Sequence, residues 1–226
     1  MSFKKRATKS IALALVGVTI VTPMLNTSYA YSQNINTIKE DSFKGLENDL
    51  YAEKKIETIN IDGINYTYKY YYKNGNRVIN ITNDSNDDIE ELVFNNSDST
   101  IYINEEAVAT MGTVEHQSSE SSLLRAYYVW ETKSKSTSYI SWIKGVSVGA
   151  LAAIIASEIL GGVGASVVIA RIGSTALGVF AASSAGGTVY NTLQMYQAPF
   201  TTPQYRTLWG FKAPTGDYYG DYIYHW

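Results

Sequence analysis

The sequence predicts an α+β protein made of an N-terminal antiparallel β-meander, a central Gly/Ala-rich helical hairpin and a C-terminal aromatic β-hairpin. Three observations lead there. Residues 53–104 carry alternating β-formers broken by tight turn signals. Residues 145–190 contain only Glu158 and Arg171 as charged residues, and nineteen of these forty-six positions are Gly or Ala. The last twenty-two residues return to alternation, with many tyrosines.

Residues 1–30 precede any fold. Lys4, Lys5, Arg6 and Lys9 form a basic start, Ile11 to Val21 is apolar or small throughout, and Ser28-Tyr29-Ala30 offers a small-residue cleavage pattern. This pattern is that of a secretory signal cut after Ala30. The apolar run of eleven residues is short of the ~20 that span a bilayer. The expected location is therefore extracellular.

Export changes the charge. The chain has 18 basic and 21 acidic residues, and four of the basic ones lie in the signal, leaving 14 against 21, or −7 with histidine neutral. An acidic protein is a poor partner for nucleic acid, which needs basic patches facing phosphate. With no cysteine and only His116 and His225, disulfide, thiol and imidazole-rich metal chemistry have no material. No Gly-x-Ser-x-Gly elbow, HExxH or phosphate loop occurs, and the expectation is a protein without catalytic activity, cofactor or metal.

Residues 31–52 read as a polar arm. The meander domain, 53–126, begins with Ile56, Ile59 and Ile61 before Asp62-Gly63, a strong hairpin signal. Tyr66, Tyr68, Tyr70 and Tyr72 then alternate, so that four rings share one strand face. Asn74-Gly75 turns the chain into Val78–Ile81, and strands at 89–94 and 101–103 follow. Glu105 to Met111 reads as a short helix, and the Ser-rich stretch near 117–122 as a boundary. The tyrosine row has two readings: an aromatic binding platform, or half-buried strand residues paired across the sheet.

The segment 127–226 holds the hairpin with flanking strands. Gly161-Gly162-Val163-Gly164 divides it, since glycines favour a helix end, giving helices at 138–160 and 165–190. Ser174, Gly178, Ala182 and Gly186 recur every fourth residue, as do Gly145, Gly149 and Ala153. Such stripes let helices approach closely and are common in membranes. Tyr139, Trp142 and Lys144 are interface-type residues at the start of the first arm. Glu158 and Arg171 would each cost ~2.5–3.5 kcal/mol near a bilayer centre, which argues against a permanent span. Composition fits equally a hairpin that inserts on demand and a pair buried in a soluble core. The C-terminal aromatic run, Tyr218 to Trp226, reads as a hairpin packing onto the core or as a membrane-surface belt.

Ile140-Ser141-Trp142, Gly186-Gly187-Thr188-Val189-Tyr190, Tyr205-Arg206-Thr207 and Gly216-Asp217-Tyr218-Tyr219-Gly220 together resemble segments of the large, unmodified geobacillin-type bacteriocins, over roughly residues 125–226. The resemblance implies an exported antibacterial protein of a Gram-positive bacterium. Its partner would be a target-cell membrane or an envelope receptor, with self-association compatible, and it assigns no catalytic residue. The other reading from the residues is a non-catalytic secreted binding or adhesion module using the Tyr66–Tyr72 face.

Overall fold

The computed structural model describes residues 50–118, 129–183 and 185–225, with side chains omitted for 113–118. The signal, most of the polar arm and most of the Ser-rich boundary lie outside these residues, and positions 117 and 118 of that boundary end a strand.

Among the described residues, ten strands form one antiparallel sheet in which each strand pairs with the next in sequence. They are β1 Ile56–Ile61, β2 Ile64–Lys73, β3 Asn76–Asn83, β4 Asp88–Asn95, β5 Thr100–Ile103, β6 Glu106–Ser118, β7 Trp130–Trp142, β8 Ala185–Tyr196, β9 Gln204–Lys212 and β10 Tyr218–His225. Three helices interrupt the meander between β7 and β8: α1 Val148–Ser157, α2 Ala165–Ile172 and α3 Ser174–Ala181.

Local chemistry sets the hairpins. Asp62-Gly63 and Asn74-Gly75 hold positive φ at both central positions, the primed turn geometry that matches strand twist. Asn104 and Glu105 do the same, at φ 49° and 73°. The helix expected at 105–111 is therefore a hairpin turn and the start of β6. A left-handed glutamate is rare, so of the two residues only Asn104 offered a turn signal.

The expected α+β division is corrected in three respects. The meander is not a separate N-terminal unit, because β6 pairs with β7 from Ala109↔Trp142 to Ser118↔Ser134 and the sheet continues through β10. The first expected helix, 138–160, shrinks to α1, since Ser138 to Trp142 belong to β7. The second, 165–190, breaks at Gly173 (φ 93°) and ends at Ala181. From Ala185 the chain is a strand, with Gly187, Val189, Asn191 and Leu193 facing inward.

Glycine was misleading in that last segment. A Cβ on Gly187 would strike the Phe211 ring, and one on Gly186 would lie 2.9 Å from the Ile140 carbonyl oxygen. Both positions are small because neighbouring strands and rings come close, which a four-residue repeat also mimics.

The sheet wraps the helices. Inward side chains of β2–β5 (Tyr68, Tyr70, Ile79, Ile81, Leu92, Phe94, Ile101) and of β7–β9 (Ile140, Trp142, Val189, Trp209, Phe211) join α1–α3 in one core. The helix α2 contacts both β1 and β10. Tyr222 on β10 donates to the Arg171 carbonyl at 2.9 Å, while Glu57 on β1 bonds Ser166 at the other end of α2. A helix thus occupies the seam between the first and last strands.

Candidate functional site

The segment 147–182 carries two charged residues, Glu158 and Arg171, and its first helix is largely enclosed. Every residue from Gly149 to Ala156 is buried. Ser147 caps α1 by accepting from the Ala150 amide at 3.1 Å, and its own hydroxyl donates to Glu90 on β4 at 2.6 Å.

Helix ends carry backbone groups without intrahelical partners, and here the sheet supplies several of them. Arg77 on β3 donates to the Ser157 carbonyl at 3.1 Å. Asn191 on β8 donates to the Glu158 carbonyl at 2.9 Å and accepts from the Leu160 amide at 3.2 Å. The Trp142 indole donates to the Phe180 carbonyl at 3.1 Å.

At the start of α2, Tyr70 and Glu57 act together. The Tyr70 hydroxyl accepts from the Ala165 amide at 2.9 Å and donates to Glu57 Oε1 at 2.5 Å. Glu57 also accepts from the Ser166 amide at 3.3 Å and its hydroxyl at 2.5 Å. A carboxylate at a helix N-terminus meets both free amides and the positive end of the dipole. The approach is tight enough that a Cβ on Gly164 would sit 2.5 Å from Glu57 Oε2. Burial first, and the Glu57 charge second, push the Tyr70 hydroxyl far above its ordinary pKa.

The predicted site residues separate into different roles. Tyr68 and Tyr70 are buried against the helices, Tyr66 is half-buried and Tyr72 lies at the exposed strand end. The row shares one face as expected, but that face is the core, so in this fold its two central rings present no surface to a ligand. Gly149 packs on that row: a Cβ there would fall 2.8 Å from the Tyr68 hydroxyl. Gly145 lies in the β7–α1 loop at φ 93°, its amide bonded to the Ala181 carbonyl at 3.0 Å.

Of the second stripe, Gly178 faces the Val148 side chain on α1 at 3.7 Å. Ala182 is exposed and Gly186 is in β8. Only one of the stripe's glycines therefore serves helix-to-helix contact. Glu158 is buried at 3% exposure. Arg171 is exposed, its guanidinium 5.4 Å from the centre of the Tyr222 ring. Lys144 is exposed beside the inward Trp142. Among the described residues, no helix is long and apolar enough to cross a membrane.

Sequence reasoning missed a second feature, on the outer face of β7–β10. Tyr139 (47% exposed), Tyr190 (38%) and Tyr218 (51%) all point away from the core. Tyr139 lies between the buried Ser138 and Ile140, and Tyr190 between the buried Val189 and Asn191. The Tyr190 and Tyr218 ring centres are 6.1 Å apart. Tyr218 lies over Gly210 and Gly220, where any Cβ would collide with its ring. Burial, then a 2.7 Å hydrogen bond donated to Asp221, pushes its pKa up to about 12.

No family model, curated protein or solved structure matches this chain. The reading of function therefore rests on the residues themselves.

Proposed function

We propose that this is an exported antibacterial protein whose apolar helical insert, α1–α3, is the part that acts on the target membrane. The observation that carries this reading is the enclosure of α1. An uncharged run of buried residues is held inside a sheet that supplies hydrogen bonds to the helix ends, so it can travel through water and be exposed later. Exposure at a surface that binds the released form is a population shift, driven by that form's higher affinity for the membrane.

The action differs from that of a spanning hairpin. α1 has ten residues, about 15 Å of helix, which is half of the ~30 Å hydrocarbon core. It fits insertion to the depth of one leaflet, where an apolar helix perturbs packing without crossing. The acidic chain has no general attraction to anionic lipid, so contact calls for a specific envelope component.

Dye release from vesicles of Gram-positive lipid composition, beside growth inhibition of a panel of Gram-positive strains, tests the reading. Release together with killing is the expected outcome. Killing without release would remove the insert from the mechanism, and absence of both would remove the antibacterial function.

A second reading, a secreted binding module, is favoured by the outward aromatic face of β7–β10, in place of the inward Tyr66–Tyr72 row. Saturable binding to cell surfaces with no effect on growth would select it.

A further inference from the structure

We infer that α2 is a gate in the seam between β1 and β10, hinged at its N-terminus and latched at its C-terminus by Tyr222. As the route by which the insert is exposed, this gate deepens the antibacterial reading and rests on it for its biological role.

The two ends of α2 are held unequally. At the N-terminus, the Ala165 amide donates to the Tyr70 hydroxyl at 2.9 Å. The Ser166 amide and hydroxyl both donate to Glu57, at 3.3 and 2.5 Å. Hydrogen bonds to a carboxylate are about twice as strong as neutral ones. At the C-terminus, the Tyr222 hydroxyl reaches across from β10 to the Arg171 carbonyl in an exposed position. The Arg171 guanidinium lies 5.4 Å from the centre of the same ring. Water competes for an exposed, neutral bond of this kind, so the Tyr222 end is the weaker one.

The chain around α2 allows a swing from that weaker end. The helix stops at Gly173, whose φ is 93° and where a Cβ would meet nothing within 4 Å. The next helix has its own tie to the first hairpin, from the Ser174 hydroxyl to Asp62 at 3.1 Å, so α3 can stay in place while α2 leaves. On the strand side, the β9–β10 register shifts between Tyr219 and Tyr222, which puts the latch residue just beyond an irregular point of its own strand.

What the gate covers is apolar. Val168, Ile169 and Ile172 are on its buried side, whereas Ala170 and Arg171 are exposed. Helix α1 packs directly against α2. A swing about Ala165 and Ser166 would bare both apolar faces and keep the sheet paired, which is a local opening below the global unfolding free energy.

The chain has no cysteine, so a single introduced thiol reports the opening in buffer alone. Val168→Cys, with Ile172→Cys as a second reporter, places it under the gate. Val78→Cys places it at an equally buried site of β3 on the side away from the helices. A water-soluble disulfide reagent should label the two gate positions at least about tenfold faster than position 78. Tyr222→Phe breaks a bond that opening also breaks, and should speed labelling at 168 by about threefold or more. Ser166→Ala removes a hinge bond that persists in the open form. It should lower the melting temperature yet leave the labelling rate at 168 unchanged.

Equal labelling at 168 and 78 would overturn the gate. So would acceleration by Ser166→Ala in place of Tyr222→Phe, which would put the opening on the β1 side. Fast labelling at 168 without dye release from vesicles of Gram-positive lipid composition would leave the gate standing and remove the membrane reading. Dye release by a protein that labels equally at both positions would do the reverse.

Discussion

The Tyr70 hydroxyl and the Glu57 carboxylate are 2.5 Å apart, and together they close the start of α2 onto the first two strands. Tyr70→Phe would leave the Ala165 amide without its acceptor and remove one donor from Glu57. Loss of a buried partner costs about 1–3 kcal/mol. Chemical denaturation should show a lower midpoint with an unchanged slope. An unaltered midpoint would mean that this hydroxyl contributes nothing net.

Alkaline pH should unfold the protein through the same row. Burial pushes the hydroxyls of Tyr68 and Tyr70 far above the ordinary value of about 10. A raised folded pKa means that the fold favours the neutral phenol. That stabilisation is complete below pH ~10, and it declines as the pH rises, by up to ~1.4 kcal/mol per pH unit for each buried tyrosine. Tyr218, more exposed, should ionise near 12 before those two. Tyrosinate absorbance followed beside circular dichroism checks this: the buried pair should ionise only as structure is lost. Their ionisation in an intact fold would contradict the burial.

Gly149 and Tyr68 should show a change of sign. Alanine is about 1 kcal/mol better than glycine within a helix. Here its Cβ would lie 2.8 Å from the Tyr68 hydroxyl, whereas the next nearest atom, Ile81 Cγ2, is 3.6 Å away. Gly149→Ala should therefore destabilise the native protein and stabilise a Tyr68→Phe background. Since the Tyr68 hydroxyl is buried with no hydrogen-bond partner, Tyr68→Phe alone should cost little. Thermal melts of the four proteins form a double-mutant cycle, and additivity would refute the contact.

Asn191→Ala connects stability to the proposed activity. It removes the donor to Glu158 and the acceptor from Leu160, loosening the end of α1 by about 1–3 kcal/mol. If exposure of the insert drives permeabilisation, dye release should accelerate in this variant as its melting temperature falls. Slower or equal release at matched folded fraction would separate the two.

Glycine substitutions separate close helix approach from close strand approach. Gly178→Leu changes an α1–α3 contact at Val148, while Gly186→Leu drives a side chain toward the Ile140 carbonyl in the sheet. The second variant should lose secreted, folded protein, as judged by yield and protease resistance. Normal yield would refute the strand contact that the register assigns to Gly186.

The legible parts of the sequence were local. Asp62-Gly63 and Asn74-Gly75 specify primed turns by themselves, because only residues tolerant of positive φ fit them. The alternation of Tyr66 to Tyr72 placed four rings on one face, because strand periodicity is a property of a single strand. That 148–181 contains helices followed from its Ala- and Ile-rich composition and from the glycines at 161–164 that divide it, although the bounds of those helices did not.

What only the tertiary structure decided was which partner each pattern meets. Whether the tyrosine row faces solvent or core depends on α1 packing across it, a contact between residues about eighty positions apart. The glycines at 186 and 187 answer to Ile140 and Phe211, not to a helix, and no spacing within 165–190 contains that information. Tyr139, Tyr190 and Tyr218 lie far apart in sequence and become neighbours only through pairing of β7 to β10. Turn chemistry and periodicity act over a few residues, so the sequence by itself determines them. The choice of inner face, helix length and outward aromatic face is made by non-local burial, as the sheet wraps around its helices.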